Sequence, residues 1–186
     1  MAFCSFAISL QNNNGCVNVV SIVELEDIDI IGITESWACI DDTTLLGIDG
    51  FTLFRQDRIS KKGGGVLIYI SEGLSCKASN VSIILYDIDT VWVDLNDQHG
   101  RKLIVGNVYR PPNVCSEQDE LLCKLIKETC QAKEVILMGD FNLPNINWEN
   151  LECSDRERIF VNTFQDCFLQ QLVNEGTREC YFGFGF

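Results

Sequence analysis

Residues 135–142, Val-Ile-Leu-Met-Gly-Asp-Phe-Asn, decide how the rest of the chain is interpreted. Four apolar residues precede glycine, aspartate and asparagine, a pattern that predicts a buried strand ending in polar side chains. Asp140 and Asn142 are two positions apart, so on extended backbone their side chains face the same way. A carboxylate and an amide on one side could hold a water molecule and a phosphate oxygen together. The alternative is an ordinary strand-end turn, because Asp and Asn both favour turns.

A similar pattern occurs earlier, where the apolar run in IIGITES (residues 30–36) places Glu35 just after a second predicted strand. A carboxylate at the mouth of a buried strand is a rigid ligand for a hard cation. Taken alone, Glu35 would be better explained as a turn residue. The repetition of the pattern in GDFN favours a functional site built from both strand ends.

The remaining chain predicts alternating strands and a few helices, with no internal repeat. Residues 97–100 (DQHG) predict a tight turn between two strands. A helix is predicted from an N-cap at Ser116 to about Gln131, and a last helix from a cap at Ser154. Its apolar residues recur at helical spacing: Ile159, Phe160, Phe164, Phe168 and Leu172. This order predicts an α/β sandwich of two mixed sheets with helices outside. The predicted strands are residues 29–34, 51–55, 66–70, 82–86, 91–96, 102–109 and, as a central strand, 135–138.

Composition limits the class of protein. The 186 residues are 46% hydrophobic and 22% charged, which is typical of one globular domain. Lys and Arg total 14 against 27 Asp and Glu, a formal net charge of −13. A free-standing nucleic-acid binder usually carries a basic surface, so charge alone argues against DNA or RNA.

The ten cysteines do not predict a zinc site, since there is no CxxC pair and only one histidine, His99. Several fall on apolar faces of predicted helices, as buried reduced cysteines do. We therefore expect a reducing compartment, the cytoplasm or nucleus, and not secretion. No stretch approaches the roughly 20 apolar residues of a membrane span.

Four ordered blocks resemble a known family. They are DIIGITESW (residues 29–37), FRQDR (54–58) followed by a glycine run and GVLIYI, IVGNVYRPPN (104–113) and ILMGDFNLPNINW (136–148). The closing QLVNEGTR (171–178) also fits. Together they resemble the endonuclease/exonuclease/phosphatase family, in the branch found in non-LTR retrotransposons of animals. The match covers about residues 25–178 of a single predicted domain, 1–186.

The resemblance implies a four-layer α/β sandwich, with two mixed β-sheets flanked by helices, and hydrolysis of phosphodiesters with Mg²⁺, or alternatively Mn²⁺, as cofactor. Glu35 matches the family's metal ligand, and Asp140 matches the residue that orients or deprotonates the attacking water. Asn142 matches its hydrogen-bonding neighbour at the phosphate. Tyr109 matches the tyrosine that contacts the scissile phosphate. DNA is the implied substrate, which the chain would nick, and a longer parent protein could carry a reverse transcriptase.

The chain departs from the family pattern at two places. The family's first-strand asparagine aligns with Phe6, and its C-terminal Ser-Asp-His motif has no match before the chain ends in CYFGFGF (residues 180–186). His99 lies in the predicted turn and is expected to be exposed and remote from the site. We therefore expect a sandwich that is incomplete at its C-terminal end, with weak or no activity. Two alternatives stay open: a phosphodiesterase acting on a small phosphate ester, and a catalytically dead, truncated remnant.

Arg55, Arg58, Lys61 and Lys62 form the densest basic cluster, which could contact a nucleic-acid backbone or belong to a solvated hairpin. Glu35, Tyr109, Asp140 and Asn142 are expected to meet at one end of the sandwich, within reach of one metal-sized site.

Overall fold

The structure is a computed structural model that describes residues 3–7 as backbone, and residues 28–38, 46–58, 64–81, 83–96 and 100–172. His99, Lys61 and Lys62 and the closing QLVNEGTR beyond residue 172 lie outside these ranges. The described residues form two four-stranded sheets and two helices.

The first sheet contains β1 (Phe3–Ala7), β2 (Ile30–Thr34), β3 (Phe51–Gln56) and β4 (Val66–Ser71) in the order β1-β2-β4-β3. Strands β1 and β2 are parallel, and Phe6 is paired with Ile33. The pairs β2–β4 and β3–β4 are antiparallel, so the sheet is mixed. All five residues of β2 are buried, as expected for an apolar run that packs on both faces.

The second sheet contains β5 (Ser75–Ala78), β6 (Asp89–Asn96), β7 (Lys102–Tyr109) and β8 (Glu134–Asp140) in chain order. Strands β5, β6 and β7 pair antiparallel. Strands β7 and β8 are parallel and are connected through helix α1 (Ser116–Ala132). Helix α2 (Arg158–Asp166) follows β8. None of the helices in this described part of the chain is long and apolar enough to cross a membrane.

The buried residues form three layers of core. Between the sheets, apolar side chains of β2 and β4 pack against those of β6, β7 and β8. On the outer face of the second sheet, helices α1 and α2 bury a cluster that includes Leu122, Ile126 and Phe160. The outer face of the first sheet has its own cluster around Ile31, Ile33 and Leu67. The predicted α/β sandwich of two mixed sheets with helices outside is confirmed.

Asn107 on β7 ties the two sheets together. Its side-chain amide is fully buried and donates to the carbonyls of Ile33 and Leu67, both at 2.9 Å. Gly32 leaves the space for this contact, because a Cβ there would lie 2.9 Å from Met138 Cε and 3.3 Å from Asn107 Cγ. Buried polar groups without partners are costly, so these hydrogen bonds fix how one sheet sits on the other. They also bring the end of β2 against the end of β7.

The predicted strand at residues 82–86 is wrong over its described residues, 83–86, which form no strand. Its alternation is real but serves another purpose: Ile83 and Leu85 pack on the helix-side core, while Ile84 and Tyr86 are 71% and 81% exposed. The neighbouring strand of the sheet is β5, which the sequence did not predict. An extended segment can show strand periodicity without pairing to a sheet.

Both predicted serine caps are shifted. The N-cap of α1 is Cys115 and that of α2 is Glu157, neither with a side-chain capping hydrogen bond. The apolar stripe of the last helix was predicted too long, because α2 ends at Asp166. There the N–H of Phe168 donates to Gln165 O and that of Leu169 to Phe164 O, a Schellman C-terminus. Phe168 consequently turns out to solvent and is 94% exposed, and Leu172 is 78% exposed.

Strand β8 was predicted as a central strand, but it lies at the edge of the four described strands of its sheet. Its residues 135–137 are only half-buried. The position beside β7 matters more for the site, since the two strands run parallel and end together.

Candidate active site

The carboxyl ends of β7 and β8 place Tyr109 beside Asp140. The two residues are partners in the parallel register, and the Arg110 N–H extends the pairing by donating to Asp140 O at 2.9 Å. Because parallel strands end at the same sheet edge, the side chains that follow each strand share one surface. The edge therefore carries a phenol and a carboxylate as neighbours.

Glu35 reaches this edge from the first sheet. The Tyr109 hydroxyl donates to Glu35 Oε1 at 2.5 Å, which joins the end of β2 to the end of β7. Burial raises the pKa of Tyr109 far above its ordinary value, and the hydrogen bond and negative charge of Glu35 raise it further. Asp140 acts in the same direction, while Arg58 lowers it. Tyr109 is therefore protonated at neutral pH and acts as a hydrogen-bond donor.

Arg58 stands over Tyr109, with its guanidinium carbon 5.7 Å from the ring centroid. Asp89, at the start of β6, fixes the guanidinium through Nε at 3.1 Å and Nη2 at 2.6 Å. The Arg58 side chain is 16% exposed. One member of the predicted basic cluster is thus part of the site's wall. Arg55 instead pairs with Asp57 next to it.

The glutamate loop (residues 35–38) is held by the glycine run that precedes β4. Ser36 N–H donates to Gly65 O at 3.2 Å and Trp37 N–H to Gly64 O at 2.9 Å. Gly65 itself has a φ of 84° and donates to Asp89 Oδ2 at 3.0 Å. A Cβ at Gly65 would lie 2.6 Å from Ser36 Oγ, so a side chain at position 65 would clash with the Ser36 hydroxyl. Glu35 has a left-handed φ of 54° within this loop.

The aspartate loop (residues 140–146) places Asn142 next to Asp140. Asn142 N–H donates to Asp140 Oδ1 at 3.0 Å, and its side-chain amide donates to Arg110 O at 2.9 Å. Asn142 has a left-handed φ of 48°, a conformation that asparagine tolerates better than most residues. Both side chains are half-buried. The tight turn gives Asp140 a fixed orientation at the strand end.

A buried ion pair lies beneath the aspartate loop. Arg110 is 2% and Asp119 3% exposed, and the guanidinium binds the carboxylate through Nε at 2.6 Å and Nη2 at 2.8 Å. The remaining nitrogen, Nη1, donates to Phe141 O at 3.2 Å and Asn142 O at 3.3 Å. Arg110 thus connects the end of β7, helix α1 and the loop that carries Asn142.

A second buried carboxylate holds the far end of the aspartate loop. Glu157, 5% exposed, accepts from both the N–H and the side-chain amide of Asn145 at 3.3 Å. Its other oxygen accepts from the Ser154 hydroxyl at 2.7 Å. The residue predicted to cap the last helix thus acts through Glu157.

The donor set fits a hard divalent cation that shares its coordination with water and phosphate. Carboxylate oxygens of Glu35 and Asp140 lie at adjoining strand ends, and Mg²⁺ is commonly bound through one or two carboxylates plus substrate phosphate. Within the described ranges, no group of three or more His, Cys, Asp or Glu side chains is arranged to hold a metal ion.

The structure therefore brings together the four residues predicted from the sequence, through one hydrogen bond between the sheets, one register pair and one turn. The supporting residues Arg110, Asp119 and Asp89 were not predicted, nor was the contact of Arg58 with Tyr109. The sequence signal for them was weak: a charged residue directly after an eight-residue strand, and a charged residue at the start of β6. Phe6 lies on β1, as the alignment with the family's first strand predicted.

Comparison with protein families gives a match over residues 103–181 to the family described as endonuclease-reverse transcriptase. No curated protein sequence matches the chain.

Several solved structures share the fold. The endonuclease domain of TRAS1, a telomere-specific non-LTR retrotransposon, has a TM-score of 0.59 at 15% identity over 89% of this chain and 68% of its own. D. rerio TDP2, complexed with a single-strand DNA product, has a TM-score of 0.59 at 16% identity over 86% and 64%. The mannosyl-6-phosphatase Bt3783 of Bacteroides thetaiotaomicron also scores 0.59, at 16% identity over 86% and 69%.

The chain thus spans just under two thirds of the length of the TDP2 structures, 66% and 64%. At such identities the likeness establishes the fold, which retrotransposon endonucleases and sugar phosphatases share. The family match adds the sequence evidence over residues 103–181, which include Tyr109, Asp140 and Asn142. The chain therefore has the fold of these structures, and its residues 103–181 are similar to the endonuclease-reverse transcriptase family.

Proposed function

We propose that the chain is a metal-dependent phosphodiester hydrolase domain that nicks DNA, as in the endonuclease part of a retroelement. The observation that carries the proposal is the hydrogen bond of 2.5 Å from Tyr109 to Glu35, with Tyr109 in register with Asp140. This contact supports the proposal because it brings Glu35, Tyr109 and Asp140 to one end of the sheets, where they could serve as cation ligand, hydrogen-bond donor and proton acceptor in phosphodiester hydrolysis.

Each residue has a proposed role. Glu35 would hold Mg²⁺, or Mn²⁺ in its place, and the bound cation would stabilise negative charge on the phosphate. Asp140 would orient the attacking water and accept its proton. Asn142 would donate a hydrogen bond to a phosphate oxygen, where preorganised donors lower the barrier most. The protonated Tyr109 would donate to the phosphate in exchange for its hydrogen bond to Glu35.

Turnover of the 186-residue chain is expected to be low. Its sequence contains one histidine, His99, which precedes Asp140 and lies outside the described ranges. We expect no histidine at the site, and a positioned acid or base contributes about 10²–10⁴-fold in rate, so turnover should be slower by about that factor. The net charge of −13 would weaken encounter with DNA further.

The test is single-turnover relaxation of supercoiled plasmid by excess protein over a Mg²⁺ series, beside Asp140→Ala. We expect slow, metal-dependent nicking that Asp140→Ala abolishes. Equal rates for the two proteins would overturn the proposal and leave a folded but inactive domain. Mn²⁺ binding measured by water-proton relaxation should weaken in Glu35→Gln and stay unchanged in Glu72→Gln, an exposed carboxylate after β4.

One observation favours a second candidate, a phosphodiesterase for small phosphate esters. The acidic charge that opposes DNA binding opposes a single phosphate group much less, because fewer phosphates must approach the surface. Hydrolysis of bis(p-nitrophenyl) phosphate, abolished by Asp140→Ala, with no cleavage of plasmid would select this candidate. A reverse transcriptase encoded in the same parent protein would favour DNA instead, and we propose such a domain as the partner.

A further inference from the structure

We propose that Arg110 is a positioning residue for the reaction: its buried guanidinium holds the aspartate loop in the conformation that aims Asp140 and Asn142. The inference rests on the proposed function for its effect on rate. The contacts by which Arg110 holds the aspartate loop, which we call the clamp, lie within this chain and do not depend on the proposed function.

Arg110 binds the aspartate loop with both its backbone and its side chain. Its carbonyl accepts from the Asn142 amide and its N–H donates to Asp140 O, both at 2.9 Å. Its Nη1 donates to the carbonyls of Phe141 and Asn142 at 3.2 and 3.3 Å. Every residue from Asp140 to Asn142 therefore has a hydrogen bond to Arg110.

The guanidinium is itself held rigidly. It is fixed on the opposite side by the two-pronged pair with Asp119 on α1 and lies 5.3 Å from the centroid of the Phe160 ring on α2. A bidentate pair at 2% and 3% exposure leaves the side chain one orientation. The aspartate loop is thereby connected to helices α1 and α2 as well as to the end of β7, which Arg110 directly follows.

The conformation of the loop needs such support. Asn142 adopts a left-handed φ of 48° with a half-buried side chain, which costs backbone energy unless surrounding contacts impose it. Lysine could keep the charge at position 110, but one ammonium group cannot reproduce the planar fork that serves Asp119 and two carbonyls at once. Charge alone would therefore not preserve the loop.

The experiment compares Arg110→Lys with Arg156→Lys in the full chain. Arg156 is the matched control because it also approaches Asp119, at 3.8 Å, and its side chain is 53% exposed. Its guanidinium donates to Val114 O and not to the aspartate loop. Hydrogen exchange is followed in peptides covering residues 139–146 and, for comparison, α1. Single-turnover nicking is measured at saturating DNA, with rate constant and amplitude recorded separately.

For Arg110→Lys we expect exchange about tenfold faster in residues 139–146, with α1 protected as before. The nicking rate constant should fall about 10²-fold at full amplitude and unchanged DNA half-saturation, because small displacements of catalytic groups cost about that much. Arg156→Lys should match the parent protein in both measurements.

Unchanged exchange in residues 139–146 of Arg110→Lys would overturn the clamp. Exchange that accelerates equally in α1, with nicking lost in amplitude and not in rate constant, would also overturn it, since that is loss of folded protein. If Arg110→Lys does not fold, Asp119→Asn replaces it, with the same local exchange expected at smaller size. A parent protein without nicking would refute the proposed function, while the exchange data would still decide the clamp.

Discussion

The glutamate loop and the aspartate loop are both held in a fixed conformation, but by different kinds of contact. Each follows a strand and contains left-handed backbone: Glu35 at 54° and Trp37 at 52° in the glutamate loop, and Asn142 at 48° in the aspartate loop. The glutamate loop is held by backbone, through hydrogen bonds to Gly64 and Gly65. The aspartate loop is held largely by buried charged side chains, the guanidinium of Arg110 at its start and the carboxylate of Glu157 at its far end.

The difference determines which substitutions each loop can tolerate. The glutamate loop is sensitive to added volume at the glycines that hold it, because a Cβ at position 65 would meet the Ser36 hydroxyl at 2.6 Å. A loop held by a buried ion pair is sensitive to lost charge, because the remaining partner is left without compensation. Tyr109 links the two loops, so it should report on both.

The largest effect is expected from removing the carboxylate that balances Arg110. Asp119→Ala leaves a buried guanidinium without its partner, and breaking such a pair costs about 3–5 kcal/mol of unfolding free energy. Urea unfolding followed by tryptophan fluorescence would measure it, with Glu120→Ala, exposed on the same helix turn, as control. A loss below about 1 kcal/mol would show that the pair is not essential to stability and would undo the contrast between the loops.

A smaller loss of unfolding free energy is expected from adding a methyl group at Gly65, one of the glycines that hold the glutamate loop. Gly65→Ala forces a side chain into a left-handed residue and against Ser36 Oγ, and strain of this kind costs about 1–3 kcal/mol. Gly50→Ala is the matched control, since Gly50 has nearly the same φ, 81° against 84°, but open space around its Cβ position. Thermal or urea unfolding of both should show Gly65→Ala as the less stable. Equal losses would mean that φ alone matters and that the contact with Ser36 Oγ adds no cost.

The two loops also show which features could be predicted from the sequence and which could not. Strands β2, β4 and β7 were predicted within one residue at either end, because short continuous apolar runs bounded by polar residues are typical of buried strands. The meeting of Glu35, Asp140, Asn142 and Tyr109 followed from the same boundaries and from a family resemblance. The glycine run was visible, but its partner, the backbone of residues 36 and 37, was not.

The Arg110–Asp119 pair could not be predicted, because two charged residues nine positions apart have no periodic signature. The two side chains meet only because α1 packs on the sheet, and the sequence does not show that packing. The same limit accounts for the errors. Residues 83–86 alternate like a strand because they line the core, and the apolar spacing of Phe168 continues past the point where α2 ends. Periodicity records which side chains face the core and does not record which backbone groups are paired.

The link between the loops should appear as a pH dependence. Tyr109→Phe removes the hydrogen bond to Glu35 and should cost about 0.5–1.5 kcal/mol at neutral pH. The pKa of Tyr109 is raised on folding, so above its ordinary value of about 10 the unfolded chain loses this proton first and stability falls as pH rises.

Urea unfolding at several values between about pH 9 and 11.5 would therefore give a steeper decline for the parent than for Tyr109→Phe. Glu35→Gln should lie between the two, because it removes the negative charge that helps raise the Tyr109 pKa but leaves burial in place. Parallel curves for the parent and Tyr109→Phe would show that the tyrosine is not shielded at the junction of the loops.

The smallest effect tests whether the aspartate loop uses backbone strain at all. Asn142→Gly and Asn142→Ala both lose the amide hydrogen bond to Arg110 O, so their difference isolates the residue's conformation. A left-handed φ of 48° costs an alanine about 1–2 kcal/mol, while glycine loses about 0.5–1 kcal/mol more chain entropy on folding. Asn142→Gly should therefore be the more stable by roughly 0.5–1 kcal/mol, measured by urea unfolding under identical conditions. If Asn142→Ala were equally stable, the Arg110 contacts would not be imposing the left-handed turn, and the two loops would differ less than their contacts indicate.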